Sequence, residues 1–505
     1  MARKKSEMWS AVALILGAII FSVVAGEVFA RIIDDHGAFS WAKYFGTHPT
    51  KPIDNYIAKI ESGRQSVGEL WKQMPPALER RGVKAEDQQR LKEFGDKNID
   101  TEFSGQVMPS ELFKVWNSKL VDEACTHDVL KHLTKWPFDT FESPSGDVRP
   151  RYRYRPDTTL PTGLVTNQIG WRGKSVEPRS PDTVRIVFVG ASTIAEASVI
   201  PWSAPELIEG WLNTWAKDRG LRVRFQVLNA GRDAATTPEV AAIVRDEVVP
   251  LRPDLVIFYE GALQFSWSSV VKDADKLWAL PRPQYLANAG WVADLAQQSS
   301  LFAHILAALN GAGLRLGNVK EAPKPKYEID WPKGLDESDP DVSRKDLPLN
   351  LTQIMGDLDQ VRTELAKVGS DFVLSSFAWL VYDGLTVDPV KGRYIWEVNN
   401  NGYWPWTYRD IRRGVDFENR VYRKFAKEHG LAFLDVAPLI PEEPMLFADG
   451  VHMTESGVRV KAWAFFRELL PLIEQHLASG AWPRNIAEEK LPAFDVKRRS
   501  VSCSK

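Results

Sequence analysis

Two short stretches of the sequence carry residue types that could do ester chemistry together, "VRIVFVGAST" and "FADGVHMTESG". In the first, a β-branched and apolar run stops at Gly190, and Ser192 follows. A glycine at the carboxyl end of a strand lets the chain turn sharply and presents the next side chains at the sheet edge, where a nucleophile could stand. In the second, Asp449 and His452 are spaced so that, in a turn, the carboxylate reaches one imidazole nitrogen. The other nitrogen is then free to take a proton from a serine. Each stretch also has an ordinary reading. Most strand-to-helix turns carry no chemistry, and a helix start capped by Thr454, with Asp449 bonded to loop amides, accounts for the second. Ser192 is not a nucleophile elbow of the α/β-hydrolase kind, because Ile194 stands where that turn needs glycine. The two stretches matter jointly: a serine after a first strand and an Asp-x-x-His loop after a last one would meet at one edge of a parallel sheet.

The elements between them read as that sheet. "VRIVFVG", "RVRFQVLNAG", "DLVIFYEG", "DFVLSSF" and "LAFLDV" are short, apolar and rich in β-branched residues, as strands covered on both faces are. Helical periodicity separates them at "APELIEGWLNTWAKDRG", "TPEVAAIVRDEVVP", "LTQIMGDLDQVRTELAKVG" and "ENRVYRKFAKEHG", and "SGVRVKAWAFFRELLPLIEQHL" closes the series. Strand-helix alternation argues a parallel sheet with helices on both faces. Two insertions interrupt it, at about residues 270–350 and 379–415. The first is polar and proline-rich, a surface excursion; the second, "RYIWEVNNNGYWPWTYRDIRRG", concentrates aromatics and either shapes a pocket or packs a loop onto the body.

Ahead of this domain the chain changes character twice. Residues 1–7 include Arg3, Lys4 and Lys5, and Met8 to Gly26 runs without a charge. That pattern predicts a membrane anchor over residues 8–33 with the basic end cytoplasmic and the bulk exported, to the periplasmic side of an inner membrane. A cleaved signal peptide is the alternative, since Val24-Ala25-Gly26 and Val28-Phe29-Ala30 offer small-residue cleavage sites. Residues 34–150 show three-to-four apolar spacing and predict a helical juxtamembrane region; 151–480 form the main domain and 481–505 a tail.

Composition narrows the function classes. A net charge of -2 over 505 residues implies no nucleic-acid partner. Cys125 and Cys503 are too far apart in sequence to suggest a disulfide framework, and His127 and His132 beside Cys125 match no metal spacing. No phosphate-binding glycine loop appears, so neither metal nor cofactor is expected. The 19 Trp residues suggest large aromatic surfaces.

Over roughly Pro161 to Leu477, insertions apart, the order of blocks resembles the SGNH/GDSL hydrolases, especially their membrane-anchored members with a Gly-small-Ser-Thr first block. "TNQIGWRGKS" is similar to the lead-in of that subgroup, "VRIVFVGAST" to block one, "VLNAGRDAAT" to the glycine block, "DLVIFYEGALQF" to block three and "FADGVHMTESG" to the last. The resemblance implies a flavodoxin-like three-layer α/β/α sandwich and acyl-ester chemistry: Ser192 attacks the carbonyl, His452 serves as base then acid, and Asp449 orients it. It also implies an oxyanion hole from the amides of Ser192 and Gly231 plus a block-three asparagine. Leu263 replaces that asparagine here, which leaves Gln264 or Asn229 as substitute donors. The substrates implied are acyl esters such as O-acetyl groups of an envelope glycan. An O-acyltransferase would use the same triad, and a domain impaired by Leu263 would serve instead as a binding or assembly module.

Overall fold

The computed structural model describes residues 17–30, 53–79, 81, 86, 89–90, 138–141, 152–159, 164–196, 201–261, 265–281, 284–287, 299–311, 317–320, 326–387, 395–396, 399–400, 403–486, 490–492 and 498–499. The chain divides into two compact units: residues 1–53, 281–324 and 386–404 form one, and residues 54–280, 325–385 and 405–505 the other.

The larger unit is built on five parallel strands, β1 (Thr183–Gly190), β2 (Arg224–Asn229), β3 (Leu255–Tyr259), β4 (Asp371–Ser375) and β5 (Ala432–Leu434), in the order β2-β1-β3-β4-β5. This is the flavodoxin-like doubly wound order, with its switch point between β1 and β3. β1 and β3 are buried along their whole length, which is why their sequences carry no polar alternation.

Five helices cover the sheet: α1 (Ala204–Asp218), α2 (Thr237–Ile243), α3 (Leu351–Ala366), α4 (Tyr408–Glu428) and α5 (Glu455–Ala478). α1 and α5 share one face, where Trp211 meets Trp463 edge to face at 5.2 Å and Phe465 meets Phe188 of β1 at 5.3 Å. On the other, Tyr422 of α4 meets Phe258 of β3 at 5.9 Å, and Thr237 of α2 bonds Asp357 of α3 at 2.6 Å. The sequence starts four of the five helices locally. Ser203 and Thr236 form capping boxes with Glu206 and Glu239, each with a proline in the first turn, and Thr407 and Thr454 cap α4 and α5. α4 begins inside the aromatic insertion expected to run to 415, because the Thr407 cap lies well before the apolar periodicity becomes clear.

The described residues of the region at 34–150 are only partly helical. Asp54–Glu61 is a helix that packs on α5 through Trp463 Nε1 donating to Glu61 (2.8 Å) and the Arg64–Glu468 ion pair (2.6 Å). Phe138–Phe141, however, is a strand, paired antiparallel with Tyr152–Tyr154 and with Arg498–Arg499, so one sheet runs across the boundaries expected at 150 and 480. The strand begins directly after Pro137, where the helical periodicity of the sequence stops. The start of the expected tail also belongs to the body: Trp482 is buried and stacks on His476 at 4.1 Å, and Arg484 lies 3.3 Å from the buried Asp254. "PSELFKVWNSKLVDEACTHDVLKHLTKW", with Cys125, His127 and His132, lies outside the described residues.

The smaller unit gathers parts of both insertions with the amino-terminal segment. Gln284–Ala287 pairs antiparallel with Gly317–Lys320, and Ser300–Gly311 is a helix. Residues 17–30 are helical and present Ile19, Ile20, Phe21, Val23 and Val24 with more than half of each surface exposed. Glu27 Oε2 accepts from Ser299 Oγ (2.6 Å) and Leu301 N (3.0 Å), capping the helix at 300–311. Among the described residues no helix is long and apolar enough to cross a membrane; residues 8–16 and 31–33 of the expected anchor lie outside them.

Candidate active site

β1 and β3 run side by side to their carboxyl ends, and Gly190 makes this feasible: a Cβ there would sit 2.2 Å from the Tyr259 carbonyl oxygen. The chain then turns through one helical turn, Ser192–Ala195, with Ile194 N and Ala195 N donating to Ala191 O (3.1 and 2.9 Å) and Glu196 N to Ser192 O (2.8 Å). Glu196, in the left-handed region at φ 46°, ends it. Ser192 is 6% exposed at the head of the turn.

The second stretch forms a small closed loop. Phe447 bridges Met453, Ala448 N donates to His452 O (2.7 Å) and Thr454 N to Leu446 O (3.0 Å). Gly457 is required below it, since a Cβ would fall 1.9 Å from the Leu446 carbonyl oxygen. Inside the loop Asp449 is 1% exposed. Its Oδ1 accepts from Val451 N (2.8 Å) and His452 N (2.7 Å), and its Oδ2 lies 2.6 Å from His452 Nδ1. His452 Nε2 in turn lies 2.7 Å from Ser192 Oγ. With Nδ1–H donated to the carboxylate, Nε2 is left as the acceptor facing the serine hydroxyl. The ordinary reading of this loop holds as well, for Asp449 does satisfy loop amides and Thr454 Oγ1 does accept from Gly457 N at 3.2 Å. The two roles use different atoms.

The expected oxyanion donors fare differently. Ser192 N opens the helical turn, where an amide has no partner within the helix. Gly231 lies against that turn so closely that a Cβ would meet Ala195 N at 2.5 Å, but its amide donates to Asn229 Oδ1 at 3.0 Å. Asn229 is buried and gives its Nδ2 to Ile194 O at 2.7 Å, so both ends of its amide group are engaged in structure. Gln264 and Leu263 lie outside the described residues.

Three residues at the site carry no motif signal of catalysis. Arg172, from the lead-in stretch, is buried and directs its guanidinium to the carbonyls of Ala195 (3.4 Å), Glu196 and Pro201 (3.3 Å), with Glu206 3.3 Å from its Nε. Lys461, buried on α5, donates from Nζ to Thr193 O (2.5 Å) and lies 2.5 Å from Glu196 Oε1, a contact outside hydrogen-bond geometry. Glu196 Oε2 accepts from Ala204 N at 2.6 Å. A lone lysine within the buried run Val458–Phe466 was the only clue available in the sequence.

At the neighbouring strand ends the surroundings are aromatic. Phe265 stacks on Trp379 (5.8 Å), Trp267 on Trp406 (5.1 Å), and Tyr327 stands edge-on to Trp406 (5.1 Å). Trp267, Trp379 and Trp406 are all buried, so this part of the aromatic insertion packs into the body. On α4, Glu418 is held well above the usual carboxylate range by burial; nearby Glu260 adds to this, and the Tyr422 hydroxyl, donating at 2.9 Å, opposes it. Among the described residues no group of three or more His, Cys, Asp or Glu is arranged to hold a metal ion.

No family model matches the chain, and no curated protein does. The chain is similar to solved structures that include a GDSL-like lipase from Bacteroides thetaiotaomicron (13% identity, 60% of this chain and 93% of that one, TM-score 0.28). Others are an acetylxylan esterase from Geobacillus stearothermophilus (14% identity, 58% and 97%, TM-score 0.31) and a putative acylhydrolase from Bacteroides fragilis (15% identity, 60% and 92%, TM-score 0.27).

Proposed function

We propose that the chain is a serine esterase acting on short acyl esters, with Ser192, His452 and Asp449 as its catalytic residues. The observation that carries this is the hydrogen-bonded line Asp449 Oδ2–His452 Nδ1 (2.6 Å) and His452 Nε2–Ser192 Oγ (2.7 Å) at the carboxyl edge of a parallel sheet. Ser192 Oγ attacks the acyl carbonyl carbon while its proton passes to His452 Nε2. The tetrahedral adduct collapses, Nε2 gives that proton to the leaving alkoxide, and water repeats the sequence to free the acid. The Ser192 amide holds the developing oxyanion, with Gly231 sharing its hydrogen between Asn229 and the substrate. Substrates of the class implied by the family resemblance are O-acetyl groups of an envelope glycan, reached by a body tethered through residues 8–33 and lying outside the cytoplasm.

Treating the full chain with p-nitrophenyl acetate and a fluorophosphonate probe tests this. Hydrolysis and labelling at Ser192, both lost in Ser192→Ala, are expected. A second reading, a module that binds or assembles without turnover, is favoured by the Gly231 amide's bond to Asn229 and by Leu263 in the block-three position. An inert, unlabelled wild type would overturn the first reading and leave the second. An alkaline phosphatase fusion after residue 40 that stays inactive, while a β-galactosidase fusion at the same point is active, would overturn the exported topology.

A further inference from the structure

Each carbonyl oxygen of the turn that follows Ser192 receives a hydrogen bond from a side chain that comes from another part of the fold. Lys461 Nζ donates to Thr193 O, Asn229 Nδ2 to Ile194 O, and Arg172 to Ala195 O and Glu196 O. The donors arrive from α5, the end of β2 and the lead-in stretch, so the turn is fixed from three directions. Asn229 is neutral, and the buried Arg172 guanidinium is paired with Glu206, outside the turn. Lys461 instead pairs with a residue of the turn, Glu196. Lys461 and Glu196 are 2% and 4% exposed at their side chains, and Glu196 is the last residue of the turn. Placing two charges out of water is unfavourable unless the geometry compensates, and a hydrophobic pair of similar volume is often as stable or more so. Stability alone therefore gives a weak account of this pair, whereas its position gives a strong one.

Resting on the esterase reading above, we infer that Lys461 and Glu196 are positioning residues that fix Ser192 Oγ against His452 Nε2. The physical path is short. Lys461 holds the Thr193 carbonyl, one peptide from the nucleophile, and Glu196 holds Lys461 while its other oxygen anchors the turn's exit to Ala204 N at 2.6 Å. α5 carries both ends of the device, because the loop that presents His452 leads directly into the helix that presents Lys461. Nucleophile and base are thus referenced to one rigid element. A displacement of about 1 Å at a reacting atom is enough to lower a rate about a hundredfold.

The double variant Lys461→Met/Glu196→Gln tests this in the full chain. It removes both charges together and leaves no uncompensated ion, while the introduced side-chain amide retains an oxygen to accept from Ala204 N. Melting temperature within a few degrees of wild type is expected. Amide hydrogen exchange in a peptide spanning residues 190–197 should quicken at least about tenfold with other core peptides unchanged. Fluorophosphonate labelling of Ser192 and kcat on p-nitrophenyl acetate should fall about 10- to 100-fold with KM within about threefold, a split that lost substrate binding would not produce. Exchange that stays at the wild-type rate overturns the bracing; faster exchange with an undiminished kcat overturns the link to catalysis. The single variants, each leaving one buried charge unpaired, should be less stable than the double, and the reverse order would also overturn the inference. Failure of the esterase reading itself is recognised separately, in a wild-type chain that neither hydrolyses nor labels, and it would remove the positioning role with it.

Discussion

The carboxyl ends of β1 and β3 lie side by side and are built from opposite materials. Beyond β1 the turn at Ser192–Glu196 is held by charged and amide side chains, each aimed at a named carbonyl. Beyond β3 and β4 the chain is held by stacked rings, Phe265 on Trp379 and Trp267 on Trp406. Hydrogen bonds to fixed acceptors define position along a direction, whereas ring packing fills volume and tolerates small slides. The difference assigns tasks: the polar end sets geometry for chemistry, and the aromatic end supplies stability.

That contrast can be broken from either side. Asp449→Asn should leave the fold intact and lower kcat about ten-thousandfold, because an amide in place of the carboxylate favours the wrong imidazole tautomer; steady-state rates on p-nitrophenyl acetate check this, and a loss under tenfold would remove Asp449 from the reaction. Trp406→Ala should act oppositely, costing about 3–5 kcal/mol of stability through the cavity left between Trp267 and Tyr327 while kcat stays within a few-fold. Denaturant titration beside kinetics would show whether the two ends separate in this way. Gly231→Ala introduces a Cβ 2.5 Å from Ala195 N, and a turn pushed off its site should lose about a hundredfold in kcat with a smaller change in melting temperature.

The smallest effect concerns pH. Glu418 keeps its proton in the folded state to higher pH than in the unfolded chain, so the folded protein binds more protons between the two values. Its favourable contribution is complete below the ordinary value of 4.5 and declines as pH rises from there toward the folded value. Glu418→Gln should therefore gain stability relative to wild type between pH 5 and 8; unfolding curves across that range that stay parallel would place the carboxyl in a different state.

The sheet and the Asp449–His452 contact were legible because each depends on local pattern, and Ser192 was joined to them through the sheet edge and the family resemblance. Buried parallel strands write themselves as unbroken apolar runs, and Asp449 and His452 are neighbours in the chain. What escaped was long-range. Arg172 and Lys461 reach the turn from widely separated positions, and no spacing rule links a lysine on a helix to a carbonyl 268 residues earlier. The Gly231 amide is expected in the oxyanion hole on family grounds, and in the folded chain Asn229 Oδ1 accepts from it. Sheet pairing of Phe138–Phe141 with Arg498–Arg499 escaped for the same reason, since each strand is too short to leave an alternation.

The closed loop at Phe447–Met453 has a bearing on the order of assembly. The contact between base and carboxylate spans three positions, and that between base and nucleophile spans 260. Closing a short loop takes little chain entropy, whereas the longer contact needs the β1 edge and α5 both in place. The acid–base pair is thus a local product of the chain's last fifth, and the nucleophile is delivered to it only when the whole sheet is complete. A partly folded chain would hold His452 ready with nothing to activate, so the capacity for ester chemistry would arrive last, as a report that folding has finished.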